Sequence, residues 1–188
     1  LVRHGEAAAS WEESPDPGLS ELGRQQAEVA AALLEREIAA VTQLWSSPLR
    51  RAVETAGPLA RIMRKAVRED EAFREIPAPV PLAQRQTWLR QFMQQQWHEQ
   101  GEDLLAWRIA ALKQLLMLQQ PAVVFTHFLV INAIVGQVLD RDETLCFWPA
   151  NGSITRLRHL GTSLELIMLG EEITTRVNEF FSGRSSDA

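Results

Sequence analysis

Residues 122–127 read Ala-Val-Val-Phe-Thr-His, five residues of continuous strand character that end abruptly on a histidine. An apolar run without polar alternation is the pattern of a strand buried on both faces, as in a parallel sheet covered by helices. Two more runs have this form. Leu1-Val2 stops at Arg3-His4-Gly5-Glu6, and Val41 to Ser46 leads into Ser47-Pro48-Leu49-Arg50-Arg51-Ala52.

Helical segments alternate with these runs. Ser20 is placed to cap a helix reaching about Glu37, and Ser47-Pro48 opens a second one that Gly57-Pro58 should kink or restart. Three prolines make Ile76 to Pro81 an extended connector. Leu82 to Gln100 then has amphipathic spacing at Leu89, Phe92, Met93 and Trp97, and Asp103 to Leu118 and Val130 to Leu139 read as further helices. Ser153–Leu160 and Ser163–Leu169 flank Gly161-Thr162 and read as a hairpin at the sheet edge. The expected fold is α/β: a three-layer sandwich with a mostly parallel central sheet flanked by helices and a small helical insertion at 82–107. The whole of 1–188 is read as one domain with a frayed tail at 182–188. The opening directly on a strand suggests that residues once preceded Leu1.

Composition narrows the function. The chain has 188 residues, 46% of them hydrophobic and 23% charged, so it can bury a core and is not a disordered or fibrous chain. A net charge of -5 disfavours general nucleic-acid binding, and no apolar stretch approaches a membrane span. The single cysteine, Cys146, excludes an internal disulfide framework and points to the cytoplasm. Only Lys65 and Lys113 are lysines, which leaves 17 arginines. Codon bias and phosphate recognition by the guanidinium fork both account for that preference.

In open α/β sheets ligands gather at the carboxyl ends of the strands. There the sequence sets two histidines and several arginines. Cations converging at one edge repel each other unless an anion lies between them, and phosphate is the natural occupant. The four histidines, His4, His98, His127 and His159, lack the paired spacing of metal ligands, so neither a metal nor another cofactor is implied.

Arg-His-Gly-Glu at 3–6, Leu-Ser-Glu-Leu-Gly-Arg-Gln-Gln-Ala at 19–27, Ser-Ser-Pro-Leu-Arg-Arg-Ala-Val-Glu-Thr-Ala at 46–56, Phe-Arg-Glu-Ile at 73–76 and Val-Val-Phe-Thr-His at 123–127 come in one order. In that order they resemble the histidine phosphatase superfamily, the phosphoglycerate-mutase-like proteins. The resemblance implies that His4 is the nucleophile and passes through a phosphohistidine. It further implies that Arg3, Arg51 and His127 bind the phosphoryl group, and that Glu75 protonates the leaving oxygen and then activates water. Gly5 would let the backbone approach the phosphate.

Three departures stand out. Phe128 follows the second histidine where glycine is usual, and Pro77 to Pro81 replaces a glycine-tryptophan pattern after the acid. Ser10 lies where mutases carry asparagine and is a candidate phosphate donor. The segment 82–107 is short for a mutase insertion, so the expected activity is hydrolysis of a small or medium phosphate ester. A phosphoglycerate mutase, a phosphohistidine-protein phosphatase and an inactive phosphate-binding module are the alternatives. A homodimer is compatible with all of them.

Overall fold

The computed structural model describes residues 1–9 and 14–173. Four strands form one parallel sheet: β1 (Val2–Arg3), β2 (Gln43–Ser46), β3 (Val67–Glu69) and β4 (Ala122–Thr126), in the order β1-β4-β2-β3. The last strand in sequence is therefore inserted between the first two. Val2 and Arg3 pair with Phe125 and Thr126, and Ser46 pairs with Phe125 from the other side. These pairings bring the carboxyl ends of β1, β4 and β2 side by side.

Helices cover both faces. On one face α1 (Glu21–Glu37) and α2 (Arg50–Met63) bury Ala30, Ala31, Leu34, Ala56 and Leu59 against Val2, Leu44, Val123 and Phe125. On the other, α4 (Glu102–Met117) and α5 (Phe128–Val138) bury Ala111, Leu115, Val130 and Ile134 against Val124 and Phe73. Val123 and Phe125 face one layer and Val124 the other, which is why the β4 run is apolar without alternation. The expected three-layer α/β arrangement is present.

Several local expectations change. Ser20 does cap α1, its Oγ accepting the Gly23 N–H at 2.9 Å. The second helix, however, begins at Arg50, beyond Pro48. Residues 47–49 are held as a loop by the Ser47 N–H to the Phe125 carbonyl and the Leu49 N–H to Ser47 Oγ, while Asp16 Oδ1 accepts the Arg50 N–H. Pro58 does not restart α2, which continues to Met63.

Leu82 to Gln100 is not one amphipathic helix. It consists of a 3-10 turn at Leu82–Gln84, α3 (Arg85–Phe92) and another turn at Trp97–Glu99. Packing breaks it: the Trp97 N–H bonds the Asp142 carbonyl, and the Trp97 ring packs edge-on against Phe92. The hairpin β5 (Arg156–His159) and β6 (Leu164–Met168) forms as expected but is its own two-stranded sheet. Only its lead-in joins the main sheet edge, through Arg3 N–H to the Ser153 carbonyl and Thr155 N–H to the Leu1 carbonyl. Strand β3 was not anticipated, since Val67-Arg68-Glu69 is short and mostly exposed.

Candidate active site

His4 follows β1, His127 follows β4, and Ser47 follows β2. Because these strands are neighbours, the two imidazoles lie 5.1 Å apart between ring centroids, about one inter-strand spacing. Both are buried. The His4 loop is fixed by its N–H to the Thr126 carbonyl and by Asn151 Nδ2 donating to the His4 carbonyl.

The hydrogen bonds of His4 determine its tautomer. A carbonyl can only accept, so the 2.7 Å contact with the Gly5 oxygen places the proton on Nδ1. A guanidinium can only donate, so Arg51 Nε, 3.1 Å from Nε2, meets a lone pair. Burial first, then the charges of Arg51 and Arg3, hold the His4 pKa well below its ordinary value, against the smaller opposing effect of the Gly5 bond. His4 is thus a neutral imidazole with its Nε2 lone pair directed at a cation. That is the form a nitrogen nucleophile requires.

Arg51 is 2% exposed, whereas Arg50 points outward and pairs with Glu54 at 2.6 Å. Thr55, one turn further along α2, couples this helix to the histidine loop. Its hydroxyl donates to the Arg51 carbonyl at 2.6 Å and accepts the Gly5 N–H at 3.0 Å. Asp16 approaches Arg51 Nη1 at 4.0 Å.

Arg3 donates through Nη1 to the Pro149 carbonyl at 2.6 Å, and its guanidinium lies 5.0 Å from the centre of the Phe128 ring. Phe128 in turn packs 5.3 Å from Trp148. The phenylalanine that stands where glycine is usual therefore supports Arg3 through a cation–π contact. Burial lowers the Arg3 pKa to about 10, with Glu75 opposing that effect and Arg51 adding to it.

His127 is held by Ser47 Oγ at 2.7 Å from Nε2, and its Nδ1 is buried without a hydrogen-bond partner. Burial, followed by the proximity of His4, Arg51, Arg3 and Arg74, keeps this ring neutral as well.

Glu75 is reached from β3 through a turn at Glu71–Phe73, pinned to the sheet by Thr126 Oγ1 donating to the Phe73 carbonyl at 2.7 Å. Glu75 is buried. Its Oε1 accepts the Ile76 N–H at 3.0 Å, while Oε2 has no partner of good geometry. Burial raises its pKa above the ordinary carboxyl value, against the Ile76 amide, Arg51, the Leu129 amide and Arg3. A buried carboxyl whose pKa is raised, beside two arginines, has the chemistry a general acid calls on.

Packing requires a glycine at position 5. A Cβ there would lie 2.3 Å from the Gly23 carbonyl oxygen, and a Cβ on Gly23 would lie 2.1 Å from the Glu6 oxygen. The two glycines let the histidine loop rest on the first turn of α1. Of the remaining candidates, Ser10 lies outside the described residues, as does the tail at 182–188. Ser47, Thr55 and Asn151 were not singled out as site residues, although Ser47 and Thr55 stand inside the motif quoted at 46–56 and Asn151 lies in Asn151-Gly152-Ser153, just ahead of β5.

Among the described residues no group of three or more histidine, cysteine, aspartate or glutamate side chains could hold a metal ion. A cavity of about 1,100 Å³ has none of the side chains of this cluster in its lining. It lies at the amino ends of the strands, lined by Leu1, Leu34, Leu115, Ala122 and Ile154. No described helix is long and apolar enough to cross a membrane.

Two histidines, two arginines and a buried carboxyl thus converge at the carboxyl edge of the parallel sheet. The chain matches the histidine phosphatase superfamily (branch 1) over residues 1–172 and belongs to that family. No curated protein matches it.

Among solved structures it is similar to a mycobacterial glucosyl-3-phosphoglycerate phosphatase complexed with VO3, with 23% identity and a TM-score of 0.66 over 89% of this chain and 96% of that one. The phosphoserine phosphatase of Entamoeba histolytica in complex with 3-phosphoglyceric acid gives 23% identity and a TM-score of 0.68, covering 91% and 95%. YhfR of Bacillus stearothermophilus gives 19% and 0.70, covering 89% and 94%. At these identities the likeness establishes the shared fold.

Proposed function

We propose that this protein is a phosphomonoesterase that hydrolyses small phosphorylated metabolites through a phosphohistidine on His4. The observation that carries the reading is the His4 tautomer: Nδ1–H bonded to Gly5 and the Nε2 lone pair held by Arg51.

In the first half-reaction the Nε2 lone pair forms a bond to phosphorus as the P–O bond to the alcohol breaks. Glu75 gives its proton to the leaving oxygen. Arg3, Arg51 and His127, whose Nδ1 makes no bond within the protein, receive the negative charge of the phosphoryl oxygens. In the second half-reaction Glu75, now a carboxylate, takes a proton from water. The water oxygen bonds to phosphorus, the P–N bond breaks, and phosphate leaves with His4 restored.

Hydrolysis is preferred to transfer because the similar full-length folds include proteins named as phosphatases of glucosyl-3-phosphoglycerate and phosphoserine. Those names, and the size of the 82–107 segment, support a small phosphate ester as substrate. Phe128 and the Pro77–Pro81 connector do not argue for a retired module, since Arg3 and Glu75 keep their places beside them. The lone Cys146 favours a cytoplasmic setting.

The test is to mix enzyme with 32P-labelled ester, quench with base, and look for protein-bound label that is stable to base and lost in acid. Label should appear on the wild type and be absent from His4→Ala, which should also release no phosphate. Full labelling of His4→Ala would overturn the assignment.

A further inference from the structure

The insertion carries an arginine that makes no ion pair among the described residues. Arg85 is the first residue of α3, its Nε is buried without a hydrogen-bond partner, and no described carboxylate lies within salt-bridge distance of it. Other arginines near the phosphate cluster differ. Arg74 pairs with Glu71 at 3.2 Å, and Arg3 and Arg51 are engaged by Pro149 and His4.

Packing attaches Arg85 to the site. Leu89 and Phe92 of α3 are buried in one cluster with Ile76, the neighbour of Glu75, and with Leu129 at the start of α5; Trp88 and Phe128 pack against it. The helix that begins at Arg85 thus rests on the two segments that carry the acid and the Arg3 support.

We infer that Arg85 is a specificity residue that binds a second anionic group on the substrate, a carboxylate or a second phosphate, beside the phosphoryl group held at His4. This deepens the phosphatase reading and rests on it. The phosphoryl group already has Arg3, Arg51 and His127. An arginine with a partly desolvated guanidinium, at the start of a helix packed on the segments of Glu75 and Phe128, has the fork geometry that suits one more oxyanion. Its charge is felt within the cluster, since Arg85 contributes to lowering the Arg51 pKa after burial and Arg74. Arg90, further along α3, is exposed and serves as the comparison.

The experiment measures kcat/KM for two matched pairs: 3-phosphoglycerate against glycerol 3-phosphate, and fructose 1,6-bisphosphate against fructose 6-phosphate. The first pair differs by a carboxylate and the second by a phosphate, so the preferred pair identifies the second anion. Wild type should favour the more anionic member of one pair. Arg85→Gln should reduce that ratio about 10- to 100-fold, Arg85→Glu should invert it, and Arg90→Gln should leave it in place. Hydrolysis of glycerol 3-phosphate or fructose 6-phosphate by the variants verifies that they are folded.

An unchanged ratio in both Arg85 variants, or an equal fall in Arg90→Gln, overturns the inference while leaving the phosphatase reading intact. If wild type hydrolyses no ester and takes up no label on His4, both fall.

Discussion

Arg51 Nε lies 3.1 Å from His4 Nε2, a guanidinium N–H donated to the lone pair of a buried neutral imidazole. In the absence of substrate this bond holds His4 in the tautomer that the proposed mechanism uses. When the lone pair engages phosphorus, the same cation is left beside the phosphoryl oxygens. Arg51→Ala should therefore lower kcat by about 10²- to 10³-fold, the usual effect of removing a donor aimed at developing charge. Arg50→Ala loses only an exposed pair with Glu54 and should remain within a few-fold of wild type. Steady-state kinetics on one substrate decide this, and comparable losses would place Arg50 in the site instead.

The raised pKa of Glu75 predicts a leaving-group-dependent pH profile. As the donor, Glu75 must be protonated, so turnover of alkyl phosphates falls as pH rises through its pKa, at higher pH than an ordinary carboxyl near 4.5 would give. p-Nitrophenyl phosphate expels a stable anion and needs little proton donation. Glu75→Gln should thus depress alkyl phosphate hydrolysis far more than formation of the phosphoenzyme from the nitrophenyl ester. Equal losses on both esters would remove Glu75 from the acid role.

The same burial sets how stability varies with pH. His4 and His127 have folded pKa values below the ordinary 6.5, so their contribution is complete above that pH. As pH falls below 6.5 the unfolded chain binds protons that the native state refuses, costing up to about 1.4 kcal/mol per pH unit for each ring. Glu75 acts with the opposite sign. Its contribution is complete below about 4.5 and is lost as pH rises through its elevated pKa. Glu75→Gln should therefore raise Tm at pH 7 by about 2–4 °C, and His4→Gln should flatten the acid-side slope between pH 5 and 6.5. Thermal melts across that range read both effects.

Gly23 has no contact with phosphate in this scheme, yet Gly23→Ala should impair catalysis. The added methyl would lie 2.1 Å from the Glu6 oxygen and 2.9 Å from the Glu6 nitrogen, both backbone atoms that cannot rotate aside. Either α1 or the histidine loop must shift, at a cost of about 1–3 kcal/mol. Lower Tm together with lower kcat is the expected result. Loss of stability with full kcat would mean that α1 moves and the loop stays in place.

The strands that carry the site can be read from residue order. Leu1-Val2, Val41 to Ser46, of which Gln43–Ser46 forms the strand, and Ala122 to Thr126 are runs that end in polar chemistry, and a strand end fixes a side chain's position with little help from elsewhere. His4 and His127 were legible for that reason, and the Ser20 cap because a serine ahead of a helical run satisfies its free N–H groups. What holds the histidines appears only in the folded chain. Ser47 meets His127 across 80 positions, Thr55 meets Gly5 across 50, and Asn151 meets the His4 carbonyl across 147. No local periodicity encodes such pairs, because they exist only once β4 is inserted between β1 and β2. The insertion shows the same limit: Leu82 to Gln100 has the spacing of one helix, but Trp97 gains more by packing on Phe92 and Trp107 than by continuing it. Burial is likewise a tertiary quantity, and it raises the Glu75 pKa in the direction that the proposed acid role asks for.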